Sequence, residues 1–112
     1  MLFGRVPRRV LACRTPVDMR KSFDGLHAVA SASFSEDMLS GTAFVFVNRS
    51  KTIVKILLWD RTGWCVVGKR LERGRFEVTK EEFSLRELEL LFDGMSRKNH
   101  FQSRGGLDTR RV

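Results

Sequence analysis

Residues 41–76 read GTAFVFVNRSKTIVKILLWDRTGWCVVGKRLERGRF and contain three apolar runs, which two polar turns separate. The first run, Ala43–Val47, is apolar at every position, which is typical of a strand covered on both faces. Ile53–Trp59 and Trp64–Arg70 follow it. Residues 60–63 (DRTG) between these two runs suit a hairpin, because the glycine tolerates a positive φ. The pattern predicts a three-stranded antiparallel meander.

The residues before the meander predict one strand and one helix. Residues 10–13 (VLAC) are a short apolar run and are predicted as the first strand. Thr15 is a helix-start signal, because a hydroxyl caps free amides and the following proline suits a first turn. A helix is therefore predicted from Thr15 or Asp18 to about Ser33. Apolar residues at helical spacing predict its buried stripe: Met19, Phe23, Leu26 and Ala30.

A second helix is predicted after the meander. Ser84 is a good N-cap, Glu87 completes a capping box, and Gly94 is a stop signal. The order β-α-β-β-β-α predicts one α+β domain over residues 1–95, with both helices packed on one face of a mainly antiparallel sheet. Residues 96–112 are polar and basic without any period, so they are predicted to be a disordered tail.

The charge of the chain is strongly positive. Its 112 residues include 21 Lys+Arg against 13 Asp+Glu, which gives a formal net charge of +8 and a pI near 10.5. A surplus of this size on a small domain favours polyanionic partners, above all nucleic acid. The alternative is a solvated surface that serves only solubility.

The cysteines and the apolar runs predict a cytoplasmic protein. Cys13 and Cys65 are far apart and form no C-x-x-C pair, so reduced thiols are expected, while a disulfide between them stays open. The first residues, MLFGRVPRRV, contain no apolar signal region, and no apolar run is long enough to cross a bilayer. Neither export nor a membrane partner is expected.

The sequence contains no recognisable catalytic motif. The histidines and cysteines show no zinc spacing, and the glycines match no phosphate-binding loop. No G-x-S-x-G motif marks a nucleophile. Asp18 is better explained as a helix cap and Asp60 as a turn residue than as metal ligands of a nuclease. The chain is therefore predicted not to be an enzyme and to need no metal or cofactor.

The clustered basic residues are the candidate nucleic-acid-binding residues. Arg20 and Lys21 lie at the predicted helix start, and Arg49 lies in the first turn of the meander. Four more cations end the meander: Lys69, Arg70, Arg73 and Arg75. Lys51 and Arg61 add charge in the two turns. Because a guanidinium can bond two phosphate oxygens at once, phosphate contact is their predicted role. The alternative is a solvated edge, in which neighbouring acids pair with some of them.

The two tryptophans flank the second turn of the meander. A cross-strand core pair between Trp59 and Trp64 is favoured over stacking on bases, because aromatic residues at facing strand positions pack well together.

Four blocks of the sequence resemble one known family. Residues 15–26 (TPVDMRKSFDGL) are similar to its TDMRKGxDGL block, and three further blocks follow in family order: LSGTAFVFVNR (39–49), KILLWD (55–60) and KRLERGRF (69–76). Together they span roughly residues 10–94 and resemble the Orf2-like TnpB accessory protein of IS66-family bacterial insertion sequences. Ser22 stands where the family often has glycine, and the tail after Gly94 lacks the common closing pattern.

The resemblance implies a cytoplasmic bacterial protein of a mobile element, which acts in transposition with a transposase and a second small accessory protein. No catalytic residues carry over. The leading hypothesis is a non-catalytic accessory factor that binds DNA at the insertion-sequence ends. A protein-interaction adaptor that docks the transposase without direct DNA binding is the second hypothesis. A small basic ribonuclease of toxin type is the third. The sequence makes no prediction of the oligomeric state.

Overall fold

The predicted meander forms the larger part of a five-stranded sheet. In the computed structural model, which describes residues 6–93, the elements are β1 (Val10–Ala12), α1 (Phe23–Ser33), β2 (Ala43–Val47), β3 (Ile53–Trp59), β4 (Trp64–Arg70), β5 (Glu82–Phe83) and α2 (Leu85–Phe92). The strand order is β4-β3-β2-β1-β5, and the predicted α+β class is confirmed. The predicted helix stop at Gly94, the domain boundary at residue 95 and the tail over residues 96–112 lie outside the described residues.

Short polar side chains fix both turns of the meander. Asn48 Oδ1 accepts a hydrogen bond from the amide of Thr52 at 2.9 Å. Asp60 Oδ1 accepts from the amides of Thr62 and Gly63 at 3.1 and 3.0 Å. The Thr62 amide is the main reason that the pKa of the Asp60 carboxyl lies below its ordinary value. The strands on either side of each turn pair antiparallel, as predicted.

The first strand lies inside the sheet, and a strand that the sequence did not reveal covers its other side. β1 runs parallel to β2, with Val10 opposite Ala43. On its other side it pairs antiparallel with β5, with Val10 opposite Phe83. Four strands are predicted from the sequence, and the structure corrects this number to five within the described residues. β5 has two residues, which is too short for an alternating pattern to show.

The two helices lie on opposite faces of the sheet, so the prediction that both pack on one face is wrong. Successive strand residues point to opposite faces and divide between two apolar clusters. The α1 face is filled by Leu11, Cys13, Val17, Leu26, Ala30, Phe44, Phe46 and Leu57. The α2 face contains Val10, Ala12, Ala43, Val45, Val47, Val54, Ile56, Leu58, Phe76, Phe83, Leu88 and Leu91. β2 is apolar throughout because both of its faces are covered.

The first helix begins later than predicted. It starts at Phe23 rather than at Thr15 or Asp18. Val17 is buried on the α1 face, and its amide donates to the carbonyl of Val47 at 3.0 Å, which holds the chain beside β2 beyond the end of β1. Phe23, which was predicted in the buried stripe, is 47% exposed. The helix-start signal is overridden because the chain gains more by burying Val17 against the sheet.

The start of the second helix agrees with the prediction. Ser84 Oγ accepts from the amide of Glu87 at 3.1 Å, and the Glu87 carboxylate accepts from the amide of Ser84 at 2.8 Å. This reciprocal pair is the predicted capping box. The ammonium of Lys80 donates to the same carboxylate, and this bond holds the pKa of Glu87 below its ordinary value. Leu88 and Leu91 are buried against the sheet.

Candidate functional site

One end of the sheet collects the candidate basic residues. β2 and β4 end there and β3 begins there, because neighbours in the meander run antiparallel. β1 ends there too, because it runs parallel to β2. Three connections therefore meet, over residues 14–22, 48–52 and 71–76. We call this region the basic end, and its cations are Arg14, Arg20, Lys21, Arg49, Lys51, Lys69, Arg70, Arg73 and Arg75.

Lys55 holds the first of these connections, residues 14–22, against the sheet. Its ammonium donates to the carbonyl oxygens of Met19 and Lys21 at 2.7 and 2.9 Å. These bonds fix the backbone from which Arg20 and Lys21 project. Sequence alone does not reveal this role, because its only signal is one lysine in an apolar strand, and the contacts span more than 30 residues along the chain.

Arg20 and Lys21 differ in their surroundings. The Arg20 side chain is 91% exposed, and its guanidinium lies 2.7 Å from Asp18 Oδ2. Hydrogen bonds from Arg20 lower the pKa of Asp18 to about 2, so this carboxyl stays ionised at neutral pH. Asp18 also accepts from the Arg20 amide at 2.9 Å, so it shapes the connection rather than capping α1. The Lys21 side chain passes Gly25, where an added Cβ would lie 3.0 Å from Lys21 Cβ.

The turn between β2 and β3 brings Arg49 and Lys51 to the basic end. Both side chains are exposed, and Lys51 has a φ of 63°. The carbonyl of Lys51 accepts from the amide of Phe76 at 2.7 Å, which ties this turn to the connection after β4. An open groove of about 530 Å³ separates the turn from the first connection, and it is lined by Pro16, Val17, Asp18, Met19, Asn48, Arg49 and Ser50.

The KRLERGRF segment contributes cations to both faces and an anchor to the core. Lys69 lies on the α2 face, with its ammonium 5.5 Å from the centre of the Phe92 ring. Arg70 lies on the α1 face, 3.7 Å from the Glu72 carboxylate. Arg73 and Arg75 are exposed in the turn that follows. Phe76 is completely buried, so it fixes this turn to the sheet.

The charge of the basic end is only partly neutralised. Arg20 and Arg70 each pair with one carboxylate. Within residues 6–93, no carboxylate forms an ion pair with six other cations of this end: Arg14, Lys21, Arg49, Lys51, Lys69 and Arg73. Arg14 was not among the predicted site residues. Arg14 lies at the basic end because β1 runs parallel to β2, and no local pattern in the sequence reveals this pairing.

Other cations of the fold are more strongly paired. Arg9, at the start of β1, contacts the carboxylates of Glu36 and Glu82 at 2.9 and 2.8 Å. The bond from Arg9 lowers the pKa of Glu82 below its ordinary value. Glu36 also accepts from the buried hydroxyl of Thr42 at 2.6 Å. Arg9 therefore belongs to a structural network at the far end of the sheet.

The tryptophans also lie at the far end of the sheet, away from the basic end. Trp59 and Trp64 face each other across β3 and β4 with ring centres 5.3 Å apart, which confirms the predicted cross-strand pair, but both indoles are half-buried rather than part of the core. Trp64 also contacts the ring of His27 in α1, at 5.1 Å between ring centres. Arg61 lies in the hairpin turn at this end. The structure therefore separates Arg61 and both indoles from the other candidate residues.

The remaining reactive groups form no recognisable centre in the part of the chain that the structure describes. No group of three His, Cys, Asp or Glu side chains within residues 6–93 is arranged to hold a metal ion. No helix in the same range is long and apolar enough to cross a membrane. Cys13 and Cys65 are free thiols on opposite faces of the sheet. Burial raises the pKa of the Cys65 thiol above its ordinary value.

Comparison with known proteins points to one family. The family model described as IS66 Orf2 like protein matches residues 8–102, which include all four blocks of the resemblance. Uncharacterized protein y4jC of Sinorhizobium fredii (strain NBRC 101917 / NGR234) is 30% identical over 87 residues, which cover 69% of this chain and 74% of that protein. Uncharacterized protein y4hO of the same strain is 37% identical over 68 residues, covering 61% of this chain and 59% of that protein. No solved structure matches the chain.

Proposed function

Because the chain belongs to the IS66 Orf2 like family, we propose that it is a non-catalytic accessory protein of insertion-sequence transposition that binds DNA through its basic end. The observation that carries the proposal is the meeting of three basic connections at one end of the sheet. Each connection contributes exposed cations, so an extended polyanion can contact all three at once.

The side chains of the basic end suit phosphate groups. Most of its cations are arginines, whose planar guanidinium can bond two phosphate oxygens at once. The backbone that carries them is fixed by Lys55 and Phe76, so less conformational entropy is lost when DNA binds. Contacts of this kind give affinity and position rather than sequence choice.

The surroundings of the possible acid–base groups favour a non-catalytic role. His27 packs against Trp64 at the far end of the sheet, away from the basic end. At the basic end the carboxylates of Asp18 and Glu72 pair with Arg20 and Arg70, and at the far end the carboxylate of Asp60 accepts from the amides of its turn. A ribonuclease would need an acid and a base beside its phosphate-binding residues. Binding without cleavage is therefore the activity that we assign to the basic end.

The proposed partners are the DNA of the insertion-sequence ends, the transposase and the second small accessory protein of the same element. Membership of the IS66 Orf2 like family supports this context. In this role the protein adds phosphate contacts to the transposase–DNA complex in the cytoplasm of a bacterial cell. If the transposase itself were the primary ligand, the basic end would instead dock on an acidic protein surface.

A salt titration of DNA binding tests the proposal. Fluorescence anisotropy is measured with an element-end duplex and with a scrambled duplex of equal length, between about 50 and 200 mM salt. We expect log K to fall with log salt at a slope of about −5, since the six cations of the basic end without a carboxylate partner in residues 6–93 can each replace about one phosphate counterion. No binding to either duplex, together with capture of the transposase in nuclease-treated extract, would favour the adaptor.

A further inference from the structure

β4 presents a long strand edge that no other strand within residues 6–93 covers. It has seven residues and pairs with β3 in a regular register from Arg70 to Trp64. In the described residues it is the terminal strand of the sheet on that side. Natural sheets protect such edges by shortness, charge, proline or bulges. The opposite edge, β5, is only two residues long, whereas β4 is uncharged over its first five residues, WCVVG.

The hydrogen bonds beside β4 indicate which backbone groups face outward. The amide of Asp60 donates to the carbonyl of Gly63, and the amide of Leu71 donates to the carbonyl of Thr52. Hydrogen-bonded pairs alternate along an antiparallel ladder, so the odd-numbered residues of β4 bond to β3. The amides and carbonyls of the even-numbered residues therefore point outward: Trp64, Val66, Gly68 and Arg70.

We propose that this edge pairs antiparallel with β4 of a second copy of the chain, about a two-fold axis at Val67. In this register every outward residue meets another outward residue, as a hydrogen-bonded ladder requires. Arg70 stands opposite Trp64 of the second copy on the same face, where a guanidinium and an indole attract each other. Val66 stands opposite Gly68, which leaves room for its side chain.

Strand length selects this register, because only pairing about Val67 pairs all seven residues of β4 with β4 of the second copy, and charge is compatible with it. The cations of β4 are confined to its last two residues, so pairing about Val67 keeps like charges apart. Pairing about residue 69 or 70 would place two lysines or two arginines directly opposite each other. The dimer joins the two sheets and directs the two basic ends away from each other. This inference rests on β4 alone and does not depend on DNA binding.

A register-specific cross-link tests the arrangement. Val67→Cys places two thiols at the two-fold axis in a pair that is not hydrogen-bonded, where Cα atoms lie about 4.5 Å apart. We expect the full-length variant to form a disulfide-linked dimer under mild oxidation. Val66→Cys is the matched control, because its two copies are displaced by about 7 Å along the strand. The wild-type chain, with Cys13 and Cys65, controls for the natural thiols. No cross-link, or equal cross-linking of both variants, would overturn the register.

Sedimentation over a range of protein concentrations tests the pairing itself. Gly68→Pro removes one outward amide and leaves the β3 ladder intact, so we expect it to remain monomeric. Gly68→Ala keeps the amide, and its added Cβ would lie 3.6 Å from Lys55 Cγ, which is ordinary contact. We expect this variant to dimerise like wild type, and circular dichroism checks that both variants fold. If the wild-type chain is monomeric at every protein concentration, the proposal is overturned. Another segment or another protein would then be the occupant of the β4 edge.

Discussion

Replacing Phe76 with alanine is expected to lower the free energy of unfolding by about 3–5 kcal/mol. The side chain is completely buried in the apolar cluster of the α2 face. Removing the ring leaves a cavity that a paired sheet cannot collapse to fill. The amide of residue 76 also ties the chain to Lys51, so the connection that bears Arg73 and Arg75 loses its anchor. Urea denaturation monitored by tryptophan fluorescence measures the effect.

Phe23→Ala is the matched control for this experiment. It removes the same ring from a side chain that is 47% exposed at the start of α1. We expect it to change the free energy of unfolding by less than about 1 kcal/mol. A loss for Phe76→Ala that is no larger than this would contradict the assignment of Phe76 as the anchor of the basic connection.

Reversing three charges of the basic end is expected to weaken DNA binding by about 100-fold or more at low salt. The variant combines Lys21→Glu, Arg49→Glu and Arg73→Glu, with one substitution in each connection. Within residues 6–93, none of the three native side chains forms an ion pair with a carboxylate, so the change breaks no structural salt bridge there. The slope of log K against log salt should become shallower by about 3.

A control with the same net charge separates local from global electrostatics. Arg8→Glu, Arg61→Glu and Arg86→Glu reverse three exposed arginines at the far end of the fold. This triple variant should retain most of the affinity, because its charges lie beyond the screening length of roughly 8–10 Å from DNA bound at the basic end. Equal losses in the two triple variants would show that net charge alone, rather than the basic end, sets the affinity.

Local sequence patterns were enough to predict the meander and the start of α2. The meander follows from three apolar runs and two polar turns, and the capping box follows from Ser84 and Glu87. Long-range packing decides where α1 begins and which face of the sheet each helix covers. Val17 is buried beside β2, and this contact overrides the helix-start signal at Thr15. The alternation of β1 residues between two clusters assigns the helices to opposite faces, but a four-residue apolar run does not show which helix covers which face.

The candidate site was predictable in composition but not in arrangement. The sequence identified the cations of the three connections except Arg14, and the pairing of β1 with β2 brings the first connection to the end where the others lie. Lys55 has a structural role that sequence alone did not indicate, because its acceptors are carbonyl groups of a distant segment. Arg61 resembles Arg49 in sequence context, yet the antiparallel hairpin carries it to the opposite end.

Mapping the DNA-binding surface by backbone amide chemical shifts tests the central claim most directly. The uniformly labelled chain is titrated with the element-end duplex at a salt concentration that allows fast exchange. We predict the largest shift changes in residues 14–22, 48–52 and 69–76, with little change in the hairpin turn at residues 60–63. DNA binding with its largest changes at residues 60–63, or at the start of β1, would contradict the assignment of the basic end as the nucleic-acid interface.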